Sequence, residues 1–311
     1  MIQFVNNKDI DPEKWNQTVD NALFSTVFCH YELLGQLTQP NTWHALVQGD
    51  YEAVMPLPTR KKWGIPYIYT PFFLPQMGIF APGTVSIEQT KAFMDAIPEK
   101  YAVADIILNT GNRTDCPTAM LTSHELKLQA SYEALRAGYA HNTQRNIKDA
   151  ERQQVRIRFQ EPVVENVIRL FRENRGKEHS VHFGPDDYDR LVTIAKALNE
   201  QDALLTASAR TTDGDLAGGA LFVRDGKRLW FWFSGRDYLY AAQKPMFLLL
   251  DAVIREHAAS NLTLDFNGSI NPNVARMYQS FGGVPYPVPL VSIIHKPLVQ
   301  KISTTLRGMR K

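Results

Sequence analysis

The sequence predicts an α/β (α+β) protein with both parallel and antiparallel strand pairs. Its two halves repeat the same order of elements. The first observation is a stretch, Asp215 to Gly283, in which two strands are followed by a helix, a strand and a helix. The second is Asp225-Gly226 between the first two strands, which is typical of a β-hairpin. The third is the later alternation of strands and helices, which indicates parallel pairing through crossover helices. Together they predict a mixed sheet.

Within this stretch, polar residues follow two of the predicted strands. The predicted elements are strands Leu216 to Val223 and Arg228 to Phe233, helix Gln243 to Ala259, strand Leu262 to Phe266 and helix Asn271 to Ser280. Ligands commonly enter an open sheet at the carboxyl ends of its strands. Ser234 and Arg236 follow the hairpin, and Asn267 and Ser269 follow the next strand. We therefore expect these four side chains to contact substrate, with solvation as the alternative for Arg236.

The first half has its own α/β pattern. Its predicted elements are strand Ile2 to Val5, a helix opened by Asp11-Pro12, helix Tyr31 to Leu37, strands Trp43 to Val47 and Tyr51 to Leu57, helix Ser86 to Ile97, and strands Ala102 to Leu108 and Glu125 to Gln129. Prolines in the segment Trp63 to Phe80 predict short strands and an irregular loop, because proline donates no ladder hydrogen bond. Tyr69 in that segment is a candidate cleft residue, with core packing as the alternative.

A helical connector is predicted between the halves. Ser131 to Gly138 predicts one helix, and Asn142 or Thr143 is expected to cap a second helix that ends near residue 154. Arg145 and Lys148 share one face of this second helix near its N-terminus, where free amides favour an anion such as phosphate. The alternative is a solvated basic face that is partly neutralised by neighbouring acids.

After the connector the pattern restarts. The predicted elements are strand Arg156 to Gln160, helices Pro162 to Glu173 and Pro185 to Glu200, and strand Ala203 to Ala209, followed by the stretch described first. We predict a first domain over residues 1–130, the connector over residues 131–154 and a second domain over residues 155–311. The cleft between the halves is the expected site.

Composition limits the class of protein. The 311 residues are 44% hydrophobic, which is enough for two sizeable cores. The polar start and the interrupted apolar runs predict neither a signal peptide nor a membrane span, so we expect a cytoplasmic protein. Two cysteines are too few for a disulfide framework. His179 and His182 lack a third ligand in the sequence, so no metal site is predicted.

The net charge of +2 conceals a basic end. From His295 onward there are five basic residues and no acidic residue. Apolar residues follow helical spacing along this tail from Leu298 to Met309. The two interpretations are a solvated terminus and weak adsorption to an anionic membrane surface. The composition as a whole is not typical of a nucleic-acid-binding protein.

Three motifs carry a resemblance to a known family. They are Met55 to Phe80, Tyr132 to Ala150, and the closing run Asp265-Phe266-Asn267-Gly268-Ser269 followed by Asn271 to Gly283. In this order they resemble the Fem-type peptidyltransferases and their acetyltransferase-like relatives in the GNAT superfamily. The resemblance covers most of the chain and implies two tandem GNAT-like domains. It is less specific for the reaction, because the superfamily transfers acetyl, fatty acyl and aminoacyl groups.

The resemblance implies an aminoacyl-tRNA or an acyl-CoA as donor substrate, with no tightly bound cofactor. Typical coenzyme-A-dependent GNAT enzymes have a glycine-rich loop before the central helix, and its amides cradle the pyrophosphate. Here the corresponding segment, Tyr238 to Pro245, has no glycine, and Lys244 is the candidate phosphate ligand. A side chain cannot replace converging amides, so the departure favours aminoacyl-tRNA. The sequence has no obvious long coiled-coil insertion of the kind that some Fem-type proteins carry, and in this respect it resembles the compact members of the family.

Two residues are candidates for the chemistry. An amine that attacks an ester or thioester needs donors for the oxyanion and a proton for the leaving group. Asp265 ends a buried strand and is the candidate base or substrate orienter; its alternative role is to accept hydrogen bonds from the following loop amides. Tyr278 lies at the edge of an apolar helix face, and many GNAT enzymes resemble this pattern with a tyrosine that protonates the leaving thiolate. Fem-type enzymes often have a lysine there, and the alternative for Tyr278 is packing at the edge of the core.

These features predict an N-acyltransferase or aminoacyltransferase that acts on an amine of a cell-envelope precursor, as in peptidoglycan synthesis, or of a similar metabolite. The alternatives are a coenzyme-A-dependent N-acetyltransferase and a noncatalytic binding protein on the same scaffold. The expected partners are a phosphate-containing substrate, aminoacyl-tRNA as one of the donors, and a membrane surface for the basic tail.

Overall fold

The computed structural model describes residues 1–39, 41–178, 183–267 and 272–296. The helices are α1 (Pro12–Asp20), α2 (Tyr31–Leu37), α3 (Ile87–Asp95), α4 (Tyr132–Ala137), α5 (His141–Arg152), α6 (Val164–Glu173), α7 (Pro185–Glu200), α8 (Pro245–His257) and α9 (Pro272–Ser280). The strands are β1 (Ile2–Val5), β2 (Trp43–Gln48), β3 (Ala53–Lys62), β4 (Ile65–Ile68), β5 (Val103–Ile107), β6 (Ala119–Lys127), β7 (Arg156–Phe159), β8 (Leu204–Arg210), β9 (Leu216–Asp225), β10 (Arg228–Arg236), β11 (Thr263–Asp265) and β12 (Val284–Ile294). The predicted α/β fold with mixed sheets is confirmed.

The chain divides into two units. The first consists of Met1–Leu121 with Pro287–Lys311, and the second is Thr122–Tyr286. The domain limits expected from the sequence, residues 1–130, 131–154 and 155–311, remain a prediction. The predicted substrate residue Ser269, the histidines His179 and His182, and the basic tail from Leu298 onward lie outside the described residues.

The sheet of the first unit has the strand order β1-β2-β3-β4-β5-β12. Its neighbours are antiparallel except for β4 and β5, which pair in parallel. The predicted opening of α1 is confirmed, because an oxygen of the Asp11 side chain accepts hydrogen bonds from Glu13 N at 3.0 Å and Lys14 N at 3.1 Å. This contact satisfies two of the amide groups that a helix start leaves free.

The strand β12 was not predicted from the sequence. Its prolines at 285, 287 and 289 are the residues that argue against a ladder strand, since they have no N–H to donate. These prolines occupy every second position, however, so their backbone groups all lie along the same edge of the strand. On that edge the carbonyl of Pro289 accepts a hydrogen bond of 2.8 Å from Leu108 N. The strand therefore forms because proline carbonyls still accept while the intervening residues keep their donors.

The sheet of the second unit has the strand order β6-β11-β10-β9-β8-β7. β10 and β11 are parallel and are joined through α8, and the other described pairs are antiparallel, as expected for a mixed sheet. The pairing of β10 with β11 covers three residues of each strand and ends at Trp230 opposite Asp265. β10 continues along β9 as far as Arg236 opposite Gly218. The facing edges of β10 and β11 therefore stop pairing after Trp230 and Asp265.

Two local predictions in this unit are wrong. Ser234 and Arg236 belong to β10 and do not follow it, because β9 offers Ala220 and Gly218 as pairing partners up to the end of the strand. The helix α5 begins at His141 with Ala140 as its N-cap, and no side chain caps it. The carbonyl oxygen of the Asn142 side chain instead accepts a bond of 2.9 Å from the neighbouring Thr143 N.

The core of the second unit lies under α8 and α9. Leu249, Leu250, Val253 and Ile254 of α8 are fully buried in it. Rings from the sheet complete the cluster, and Phe247 of α8 stacks on Phe281, directly after α9, at a centroid distance of 5.9 Å. None of the described helices combines the length and apolarity needed to cross a membrane.

Gly235 is expected to be essential for the packing of α6 on β10. A Cβ at this position would meet the backbone oxygen of Val167 and lie 2.7 Å from the backbone nitrogen of Phe171, so the backbone of α6 would have to move. We expect Gly235→Ala to lower the free energy of unfolding by about 3 kcal/mol. Gly83→Ala is the control, because a Cβ at Gly83 meets nothing within 4 Å. Urea unfolding measures both, and equal small effects would show that the helix can shift freely.

Candidate active site

The site is built where β10 and β11 stop pairing. The ring of Tyr278 on α9 stacks on Phe266, directly after β11, with centroids 4.6 Å apart and an interplanar angle of 19°. It also meets Phe231 of β10 edge to face at 6.0 Å. Rings placed in this way fix the phenol plane, because offset and edge contacts constrain both tilt and position. Tyr278 is thus held by the two strands that diverge.

The environment of Tyr278 keeps its hydroxyl protonated. Burial raises the pKa of the phenol well above its ordinary value; the positive charge of Arg175 opposes this shift, and the negative charge of Asp265 adds to it. The hydroxyl forms no hydrogen bond with another described side chain. A neutral phenol of this kind is a hydrogen-bond donor near neutral pH, and its proton is available to a strongly basic leaving group. The role predicted for Tyr278 remains a prediction, and the geometry is compatible with it.

Asp265 is fully buried and receives hydrogen bonds from four groups. Arg228 Nη1 lies 2.6 Å and Tyr286 Oη 2.6 Å from Oδ2, while Ser123 Oγ lies 3.1 Å and Asn267 N 2.9 Å from Oδ1. Burial raises the pKa of the carboxyl, and Arg228 together with these hydrogen bonds lowers it. A carboxylate has about four acceptor positions on its two oxygens. The described donors therefore occupy them.

This network has consequences for the roles predicted from the sequence. The expected hydrogen bond from a loop amide is present, since Asn267 N donates to Asp265. Asn267 adopts a left-handed backbone with φ 57°, which places its amide over the carboxylate. The catalytic role of Asp265 and the substrate contact of the Asn267 side chain remain predictions. The sequence did not point to Arg228, Ser123 or Tyr286, because these partners come from distant strands.

His124 was also missed by the sequence interpretation. It lies on β6 with its ring 6.0 Å from that of Tyr278, and its Nε2 lies 3.2 Å from Gln279 Nε2. Its Nδ1 is buried without a hydrogen-bond partner in the part of the chain that the structure describes. Burial lowers the pKa of the imidazole, so it is neutral near pH 7. A single histidine in a strand carries no sequence signal that would distinguish it from a core residue.

Arg236 lies in a second group of contacts beside the end of α6. Its guanidinium is 5.2 Å from the centroid of the Tyr238 ring. Tyr238 in turn donates from its backbone to Asn174 Oδ1 at 3.0 Å and from its hydroxyl to Glu178 at 2.7 Å. Arg175 in this segment is the residue whose charge reaches Tyr278. No sequence signal distinguishes Arg175 from the other arginines of this segment, because its position depends on the short 3₁₀ turn that follows α6.

The remaining predicted substrate residues lie elsewhere. Arg145 and Lys148 are exposed on α5, while Thr143, Ile147 and Ala150 form its buried face. Lys244 is the N-cap of α8 and has a left-handed backbone with φ 54°. Ser234 is half-buried in β10, and its predicted contact with substrate remains a prediction.

Tyr69 belongs to the first unit and packs in a small buried cluster with Tyr67 and Val103. The guanidinium of Arg60 lies 4.6 Å from the centroid of its ring. This placement matches the core-packing alternative, although a contact with substrate remains a prediction. No group of three or more histidine, cysteine or acidic side chains in the described ranges is arranged to hold a metal ion.

Comparisons with known proteins agree with this fold. Residues 137–272 match a family described as an acetyltransferase (GNAT) domain. The solved structure of FemX is similar over 96% of this chain and 99% of its own, with 12% identity and a TM-score of 0.66. L-PGS from Bacillus licheniformis is similar over 96% and 95%, with 10% identity and a TM-score of 0.54. A conserved protein of unknown function from Bacteroides thetaiotaomicron is similar over 94% and 100%, with 9% identity and a TM-score of 0.56.

No curated protein sequence shows significant similarity to the chain. At these low identities the solved structures establish the fold alone, and the family match is limited to residues 137–272. The resemblance seen in the sequence is confirmed: residues 137–272 match a GNAT-type acetyltransferase domain, and the fold is shared with FemX.

Proposed function

We propose that this protein is an acyl- or aminoacyltransferase that uses Tyr278 as the proton donor to the leaving group. The proposal rests on one observation, the buried phenol held between the diverging strands β10 and β11. The acceptor amine attacks the carbonyl carbon of the donor and forms the new C–N bond. As the C–O or C–S bond breaks, the leaving oxygen or sulfur takes the phenol proton, and the amine proton passes to solvent or restores the phenol. No covalent intermediate with the protein is needed.

The segment before α8 supports aminoacyl-tRNA as the donor. The amide of Tyr238 donates to Asn174, and that of Leu239 donates to the Asp237 side chain at 2.9 Å. The amides of Tyr240 and Lys244 donate to carbonyls within the same segment. A pyrophosphate cradle needs amides that are free to converge on the phosphate oxygens. Because these amides are already used, a coenzyme A donor is the second candidate, and the family match is what favours it.

The acceptor that we propose is an amine of a cell-envelope precursor that carries phosphate. Both candidate donors are made in the cytoplasm, so we propose that the reaction takes place there. The test is to incubate the purified protein with an aminoacyl-tRNA or an acyl-CoA and a UDP-linked muropeptide, and to identify products by mass spectrometry. A mass increase on the peptide amine with aminoacyl-tRNA supports the proposal. Transfer only from acyl-CoA supports the second candidate, and binding without transfer from either donor would mean a noncatalytic protein.

Arg145 and Lys148 are the proposed phosphate ligands on α5. Neither forms an ion pair within the described ranges, whereas Arg152 of the same helix pairs with Asp149 at 3.3 Å. We expect Arg145→Ala to weaken the free energy of binding of the UDP-linked muropeptide by about 1.5 to 3 kcal/mol, because a charge-assisted hydrogen bond is lost. Melting of the free protein should change little.

Arg152→Ala is the matched control for this measurement. It removes the same charge from the same helix, so a general electrostatic effect would weaken binding equally in both variants. Isothermal titration of the two variants with the muropeptide separates the possibilities. An equal loss would remove Arg145 from the proposed site, and a fall in melting temperature without loss of affinity would make it a structural residue.

A further inference from the structure

The hairpin that joins β3 and β4 ends in an exposed tryptophan. Lys62 pairs with Ile65, so the turn consists of Trp63 and Gly64 alone. Trp63 is 78% exposed, and both residues have a left-handed backbone, with φ 51° and 77°. Such two-residue turns favour asparagine, aspartate or glycine, and a bulky residue is strained there. Neither turn propensity nor burial accounts for a tryptophan at this position.

The residues before the tryptophan are basic. Arg60, Lys61 and Lys62 follow one another at the end of β3. The ammonium group of Lys62 lies 5.0 Å from the centroid of the Trp63 ring, which is a cation–π contact. Arg60 is turned to Tyr69 and Phe72 of the same unit. Lys61 and Lys62 form no ion pair with an acid in the part of the chain that the structure describes, so their charge is available to an anionic surface.

We propose that the tip of the β3–β4 hairpin docks on an anionic lipid surface. A tryptophan favours the membrane–water interface, where its ring is apolar and its N–H meets the headgroups. Lysines beside it are attracted to acidic headgroups, with a gain of about fivefold in affinity for each base near the surface. Nucleic acid fits less well, because single strands are bound along grooves with several aromatic side chains. Here one ring projects, and the Lys62 ammonium lies over its face.

The test is to measure sedimentation of the full chain with vesicles of phosphatidylcholine alone and with vesicles that also contain phosphatidylglycerol. We expect binding to the acidic vesicles that weakens as salt rises. Trp63→Asn suits the turn, so the variant should melt at the same or a higher temperature and yet bind the acidic vesicles about tenfold more weakly. Lys61→Ala should lose about fivefold.

Lys91→Ala is the control for net charge. Lys91 is an exposed lysine of α3 that pairs with Asp95 at 2.8 Å, and its loss changes the net charge of the protein by the same amount as Lys61→Ala. Its binding should stay at the wild-type level. Equal binding by Trp63→Asn and wild type, equal losses in the two lysine variants, or no binding of wild type to acidic vesicles would each overturn the proposal. The proposal would also be overturned if a short RNA displaced the protein from the vesicles and bound wild type but not Trp63→Asn.

Discussion

Tyr278→Phe is expected to reduce turnover about 100-fold or more, equivalent to about 2.7 kcal/mol, with substrate affinity nearly unchanged. The substitution keeps the ring that stacks on Phe266 and packs against Phe231, so the site should keep its shape. It removes only the hydroxyl that would protonate the leaving group. Steady-state kinetics with the donor identified in the transfer assay measures the effect, and thermal melting checks the fold.

Arg175 provides a second measurement on the same prediction. Its charge favours the ionised form of Tyr278 and so helps the phenol to release its proton. Arg175→Gln should therefore lower turnover in the presence of Tyr278 and cause little further loss in Tyr278→Phe, because both substitutions affect the release of the same phenol proton. Full turnover in Tyr278→Phe would reduce Tyr278 to packing. Additive losses would place Arg175 in a separate role, such as substrate binding.

Asp265→Ala is expected to lower the free energy of unfolding by about 3 to 5 kcal/mol, because it removes the buried carboxylate nearest to the Arg228 guanidinium, whose pairing with Glu125 at 3.3 Å is longer and more exposed. Arg228 contacts Asp265 at 2.6 Å and is 25% exposed at its side chain, while Asp265 is fully buried. Tyr286 and Ser123 would each also lose one hydrogen bond. Urea unfolding of the free protein at neutral pH measures this loss without any knowledge of the substrate.

Glu125→Gln is the matched control for Asp265→Ala. Glu125 is the other acid on Arg228, at 3.3 Å, and it is partly exposed. A pair of that kind contributes about 1 kcal/mol or less. If both variants lose the same small amount, the buried network does not stabilise the sheet. A large loss of stability in Asp265→Ala would also show that any loss of its activity cannot be assigned to catalysis alone.

Much of the architecture follows from local patterns. Asp11 and Pro12 open α1, Asp225-Gly226 joins β9 to β10, and the alternation after β10 leads to a parallel pair. Each of these features depends on residues that are close together in the sequence. Two of the errors occurred where pairing with another strand decided the outcome. β10 extends through Ser234 and Arg236 because β9 pairs with it, and β12 exists although it contains alternating prolines.

The candidate site was only partly accessible from the sequence for the same reason. Tyr278 and Asp265 carried signals, from helical spacing and from the end of a buried strand. Ser123 and Asp265 form a hydrogen bond across 142 positions of the chain, and no spacing rule predicts such a contact. His124 and Arg175 enter the site only when β6 and the end of α6 have been placed. Chemistry that depends on residues from distant strands becomes visible only in the folded chain.

The position of β12 in the chain affects how the first unit is made. Its residues Leu290 to Ile294 pair with β5, yet they are synthesised after all of Thr122–Tyr286. During synthesis the edge of β5 that pairs with β12 therefore stays unpaired until β12 has left the ribosome. The second unit is a continuous segment and can fold before that point. An open edge is a template for pairing with other chains. A fragment that stops at Leu121 would keep that edge of β5 permanently.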